Sequence, residues 1–173
     1  MKNDLSQYEM MKGLMGTGDV LQWHSNSAIG AAIRMRKGGD VNHTGIILRL
    51  GEYEGFAMRR FTLEALEHGV VLNLLSRRLQ DFNGKVYLRH LKPEHDGLRK
   101  EIGERALSMV GTPYDYPGII SEAFGNARID MDKLFCSEFA WVAMTGKTEG
   151  EAPDPVEFEE ALADWFIPRI EIL

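Results

Sequence analysis

Apolar residues along this chain come in short runs broken by glycine, aspartate and serine. The strongest strand candidate is "NHTGIILRL" (42–50), a compact β-rich run closed by Gly51 and Glu52. "EGFAMRRFT" (54–62) predicts its hairpin partner. "GDVLQW" (18–23) reads as an earlier strand entered through a Gly-Asp turn, and "GVVLNLL" (69–75) as a later one. In "KVYLRHL" (85–91) alternation puts Val86, Leu88 and His90 on one side, and "PRIEIL" (168–173) is a last short strand.

Helical spacing fills the remainder. A short helix is expected within residues 4–14. "SNSAIGAAIRMRKG" (25–38) repeats Ile29 and Ile33 at i, i+4, with Ser25 or Ser27 as cap and Gly38 and Gly39 as the stop. "SRRLQDF" (76–82) predicts a helix capped by Ser76. From Pro93, a favoured first helical residue, Leu98, Ile102, Arg105, Ala106 and Met109 make an apolar stripe interrupted by one arginine, and Gly111 ends it. "TPYDYPGIISEAFGN" (112–126) reads as a turn and a short helix. "KLFCSEFAWVAMTG" (133–146) reads as a helix with Asp130 or Asp132 as cap and Gly146 as stop, and "DPVEFEEALAD" (154–164) as a final one. Strands clustered in the middle with helices at both ends predict one α+β domain with a mostly antiparallel sheet packed against helices.

Composition narrows the functional classes. A net charge of -6 argues against nucleic acid as partner. The short basic clusters (Arg34, Arg36 and Lys37; Arg59 and Arg60; Arg77 and Arg78) read as solvated faces. One cysteine excludes an internal disulfide. The N-terminal stretch lacks the apolar core of a leader, and no run is long enough for a membrane span, so the expected compartment is the cytoplasm. "GLMGTGD" (13–19) lacks the Lys and Ser/Thr of a phosphate loop. No H-E-x-x-H, cysteine pair or i, i+4 histidine pair suggests a metal site, and no cofactor is expected. The oligomeric state is not legible.

The chemistry-bearing candidate is Cys136, placed in or near the first turn of its helix. A thiol there meets free N–H groups and partial positive charge, both of which favour the thiolate. A buried small side chain is the alternative reading. A catalytic thiol needs a base. Among His24, His43, His68, His90 and His95, the best placed is His43, which starts a strand where Thr44 and Gly45 leave room for a neighbouring segment. His24 follows the adjacent strand and is a candidate for the same cleft. Glu64 and Glu67 both stand as candidates to orient the imidazole.

Three segments, "GDVLQWHSNSAIGAAIRMRKGGDVNHTGIIL", "LEALEHGVVLNLL" and "GTPYDY…LFCSEFAWVAM", together resemble the circularly permuted, YiiX/YebB-like branch of the NlpC/P60 superfamily of papain-like cysteine hydrolases. The likeness spans roughly residues 16–145, leaving an acidic C-terminal extension (146–173) without a placed motif. In this branch the histidine strand precedes the cysteine helix, as His43 precedes Cys136 here. The resemblance implies a circularly permuted papain-like fold, Cys136 as nucleophile, His43 as base and Glu64, rather than Glu67, as third residue. It implies Tyr114 near the cleft and Asp19 as structural. Trp23 and His24 are further substrate-binding candidates, and for Trp23 a place in the core is the favoured alternative. The resemblance also implies cleavage of an amide through an acyl-enzyme, in a peptide, isopeptide or γ-glutamyl substrate such as a peptidoglycan fragment. Thiol acyltransfer or lipid-ester cleavage, and non-catalytic binding of a cell-wall fragment, are the alternatives.

Overall fold

The structure is a computed structural model that describes residues 2–27, 31, 34–35, 38–51, 55–56, 58–115, 131 and 134–173. Its centre is a sheet of six antiparallel strands: β1 (Val20–Ser25), β2 (His43–Leu48), β3 (Phe61–Leu66), β4 (Gly69–Leu74), β5 (Gly84–Arg89) and β6 (Ile170–Glu171). They lie in the order β4-β3-β2-β1-β5-β6. The α-helices are α1 (Ser6–Met11), α2 (Leu75–Gln80), α3 (Arg99–Ser108), α4 (Cys136–Thr145) and α5 (Glu157–Ala161), with 3-10 turns at Pro93–Leu98 and Ala163–Trp165.

Both faces of the sheet are covered. One apolar cluster joins Val20, Ile46, Leu63 and Ala65 to Ile102 and Ala106 of α3, Phe139 and Ala143 of α4 and Phe158 of α5. The other joins Leu21, Trp23, Ile47, Val86 and Leu88 to Tyr8 of α1 and Leu75 and Leu79 of α2. Alternate residues of a strand serve opposite faces. A sheet buried on both sides therefore needs consecutive apolar positions, which is why β1 and β2 carry runs rather than a strict alternation.

Several elements differ from the sequence expectation. The hairpin partner of β2 starts at Phe61 rather than in residues 54–60. Phe61, Leu63 and Ala65 supply an alternating apolar set that the preceding arginines do not. Helix α2 begins at Leu75, with no capping bond from the side chain at its N-cap. The Leu75 N–H donates instead to the Arg60 carbonyl (2.9 Å), so Ser76 is not needed as a cap. Pro93 opens a 3-10 turn, and the α-helix follows from Arg99. The arginine in the α3 stripe has a use: Arg105 donates to the Ala143 (2.8 Å) and Met144 (2.9 Å) carbonyls, which the end of α4 leaves without helical partners. Arg60, expected on a solvated face, is buried and donates to the Met15 carbonyl (2.8 Å). The helices expected over 25–38 and within 112–126 fall largely outside the described residues.

The acidic C-terminal stretch is built into the fold. Asp154 accepts from the Val156 and Glu157 N–H groups, while the Glu157 carboxylate accepts from the Asp154 N–H, which starts α5. Phe158, Leu162 and Phe166 enter one core and Ile172 the other. Arg169 holds Asp40 with two bonds (2.8 and 2.7 Å), which ties this stretch to the loop before His43.

Candidate active site

Cys136 is the first residue of α4, with Phe135 in extended conformation before it. A parallel bridge between Tyr114 and Leu134 fixes that approach: the Leu134 N–H donates to the Pro113 carbonyl (3.0 Å) and the Asp115 N–H to Leu134 (3.4 Å). The Glu138 carboxylate accepts from the Phe135 N–H (3.2 Å) and holds the first turn closed. Phe135 is the N-cap and its side chain makes no capping hydrogen bond; Asp130 and Asp132, the expected caps, lie outside the described residues. Cys136 is 6% exposed.

His43, the first residue of β2, makes a hydrogen bond with Cys136, and its Nε2 donates to Glu64 Oε2 (2.8 Å). The carboxylate occupies Nε2, which leaves Nδ1 as the ring nitrogen free to serve the thiol. Burial disfavours charge on the ring, but the Cys136 thiolate and the Glu64 carboxylate outweigh it and push the imidazole up to about 9. The sequence separation of Cys136 and His43 is closed by the fold: α4 packs across β2 and β3.

Glu64 sits mid-strand in β3 with none of its side chain exposed. Burial works against its charge, but His43 and Arg78 hold its carboxyl below the usual carboxylate range. Its approach to His43 depends on Gly45: a Cβ there would lie 2.9 Å from Glu64 Cγ and 2.9 Å from Thr62 Oγ1. The missing bulk beside His43, visible in the sequence, makes room for this carboxylate. Glu67 lies at the β3–β4 turn, exposed beside His68, and does not reach the site.

The other candidates divide. Tyr114 joins the cysteine segment through its backbone bridge and packs against the core beside α4. His24 is half-buried at the end of β1, and its Nδ1 donates to the Asp40 carbonyl (2.5 Å). Trp23, a candidate for substrate contact or for the core, is fully buried and belongs to the core. Its ring stands behind His43 with centroids 6.2 Å apart, and Phe82 meets it edge-on at 4.9 Å. Bulky aromatic burial at the centre of a two-faced sheet accounts for that place. Arg78 was missed: read as a solvated charge, it donates from Nε to Glu64 Oε1 (3.2 Å) and from Nη2 to Oε2 (3.4 Å). Its spacing of four residues from Phe82 was the available signal.

Residues 15–161 match the family described as permuted papain-like amidase enzyme, YaeF/YiiX, C92 family. The chain belongs to this permuted papain-like amidase family. It is accordingly a cysteine hydrolase of amide bonds, with a permuted papain-like fold. Among solved structures it is similar to one described as metalloprotein YiiX from Escherichia coli O157:H7, with a TM-score of 0.57 and 23% identity over 79% of this chain and 69% of that one. At that identity the likeness is one of fold. No curated protein matches the amidase chain. Among its described residues, no three His, Cys, Asp or Glu side chains gather into a group able to hold a metal ion, and no helix is long and apolar enough to cross a membrane.

Proposed function

We propose that Cys136, His43 and Glu64 are the catalytic residues and that the substrate is a peptide, isopeptide or γ-glutamyl amide, such as a peptidoglycan-derived fragment. One observation carries the reading: a helix-start sulfur hydrogen-bonded to an imidazole whose other nitrogen is held by a buried carboxylate. His43 takes the Cys136 proton and the two groups form a thiolate–imidazolium pair. The thiolate attacks the amide carbon and forms a C–S bond, and the first N–H groups of α4 receive the oxyanion. The C–N bond breaks as His43 gives its proton to the leaving amine. Water then attacks the thioester, His43 takes a proton from it, and the C–S bond breaks to release the carboxylic acid. Glu64 fixes the ring and supports its positive charge throughout. Tyr114 and His24 are proposed to contact the substrate at the cleft.

The test is incubation of the protein with amide and ester panels, followed by mass analysis of product and of Cys136. Amide hydrolysis with an acyl adduct on Cys136 is expected, and Cys136→Ser abolishes both. Transfer of the acyl group to a second acceptor, with no free acid formed, would replace hydrolysis by acyltransfer.

A further inference from the structure

Glu64 is an unusual third residue, because a fully buried carboxylate has to be prevented from moving or taking up a proton. Two charged groups face it among the described residues: His43 from β2 and Arg78 from α2. Arg78 is itself held. Its guanidinium carbon lies 4.7 Å from the centroid of the Trp23 ring and 5.2 Å from that of Phe82, and those two rings pack against each other. Only 24% of its side chain is exposed. The same Trp23 ring stands behind His43. The cation therefore reaches both carboxylate oxygens from a fixed aromatic seat, and Oε2 is the atom that also accepts from His43.

On the reading that Glu64 orients His43, we propose that Arg78 is a positioning residue of the amidase: with Trp23 and Phe82 it forms a clamp that fixes the Glu64 carboxylate against the His43 ring. An arginine suits this task because its planar fork meets two carboxylate oxygens while its face stacks on aromatic rings. A lysine would keep the charge and lose both geometric features. The clamp completes a chain from the Cys136 sulfur through His43 and Glu64 to Arg78, and only its far end was read as a surface charge.

Charge and placement make opposite predictions for His43. Removing only a positive charge would leave Glu64 less neutralised and raise the imidazole. Losing the placement would weaken the His43–Glu64 bond and lower it. The experiment follows the His43 ring by NMR titration, and the rate of Cys136 alkylation by iodoacetamide at pH 6, in wild type, Arg78→Gln, Arg78→Lys and Phe82→Leu. Glu67→Gln serves as control, with thermal unfolding measured for all. Arg78→Gln is expected to lower the His43 midpoint by about one unit, a factor of about ten in the ring's proton affinity, and to slow alkylation at pH 6 as the ring loses its place beside the sulfur. Arg78→Lys recovers little of either, and Phe82→Leu shifts both in the same direction by less. An unchanged or raised midpoint in Arg78→Gln, or full recovery in Arg78→Lys, overturns the clamp. If Arg78→Gln does not fold, an unchanged midpoint in Phe82→Leu overturns it. Alkylation of wild-type Cys136 no faster than a free thiol overturns the catalytic reading beneath and this proposal with it. Fast wild-type alkylation with unshifted variants removes the clamp alone.

Discussion

Two carboxylates are sealed inside this sheet, and each is held by one histidine and one arginine. Asp19, just before β1, accepts from His90 Nδ1 (2.7 Å) and Arg99 Nη1 (2.8 Å). Glu64 accepts from His43 and Arg78. The similarity ends with the other partners. Asp19 also accepts backbone N–H groups from Gly16 (2.8 Å) and Leu91 (3.1 Å), and so it ties the starts of two segments to α3. At the Glu64 end of the sheet, the histidine also interacts with the helix-start Cys136. A buried carboxylate–imidazole–guanidinium set can be purely structural, and the neighbouring sulfur is what makes one of the two the proposed reaction centre. Both histidines are raised, His90 by its bond to Asp19 and His43 by its neighbours despite burial, so elevated basicity alone does not tell the two apart.

The largest effect should come from the reacting pair. Cys136→Ser and His43→Ala should each lower amide turnover on the order of a thousandfold or more while circular dichroism stays native. Asp19→Ala should do the reverse. Loss of about 3 kcal/mol in urea unfolding is expected from the stranded Arg99 and Leu91 N–H, with Cys136 alkylation kept in the folded fraction. If Asp19→Ala instead stops turnover in stably folded protein, the division between the two ends is wrong. Glu64→Gln should keep the shape and lose the charge, lowering kcat by roughly ten- to a hundredfold, less than either reacting residue.

The pH profile sharpens the same contrast. In the proposed mechanism protonated His43 serves the leaving amine, so the rate should fall as pH rises through about 9. For stability the sign is the same: the His43 pKa is raised by folding, so its contribution is complete below 6.5 and lost as pH rises through about 9. Glu64 is lowered, so its contribution is present above 4.5 and fades as pH falls through its folded value. The smallest effect belongs to Glu67→Gln, which should change stability by no more than about 0.5 kcal/mol and leave turnover intact. A large loss there would contradict the position of Glu67 at an exposed turn.

The strands of the middle of the chain were legible because β-rich runs are separated by glycine turns; their order in the sheet was not. Cys136 and His43 were legible because a lone cysteine near a helix start and a histidine followed by a glycine are local features. The Glu64 pairing was open to the residues alone, since a glutamate's burial depends on segments distant in sequence. The choice of core for Trp23 is decided by the face covered by α1 and α2, since a sheet buried on two sides hides residues that a one-sided sheet would expose. Arg78 reads as a surface charge because its partner Glu64 lies in another element. The C-terminal stretch was opaque because its contribution consists of single apolar residues wedged into both cores, with no periodic run to announce it.

The bridge between Tyr114 and Leu134 has an evolutionary corollary. It ties the extended residues that lead into α4 to a segment well before them in the chain. The place of the sulfur is thus set by pairing between distant segments as well as by its own helix. A heritable change at Pro113 or Leu134 would therefore be felt at Cys136 without touching it.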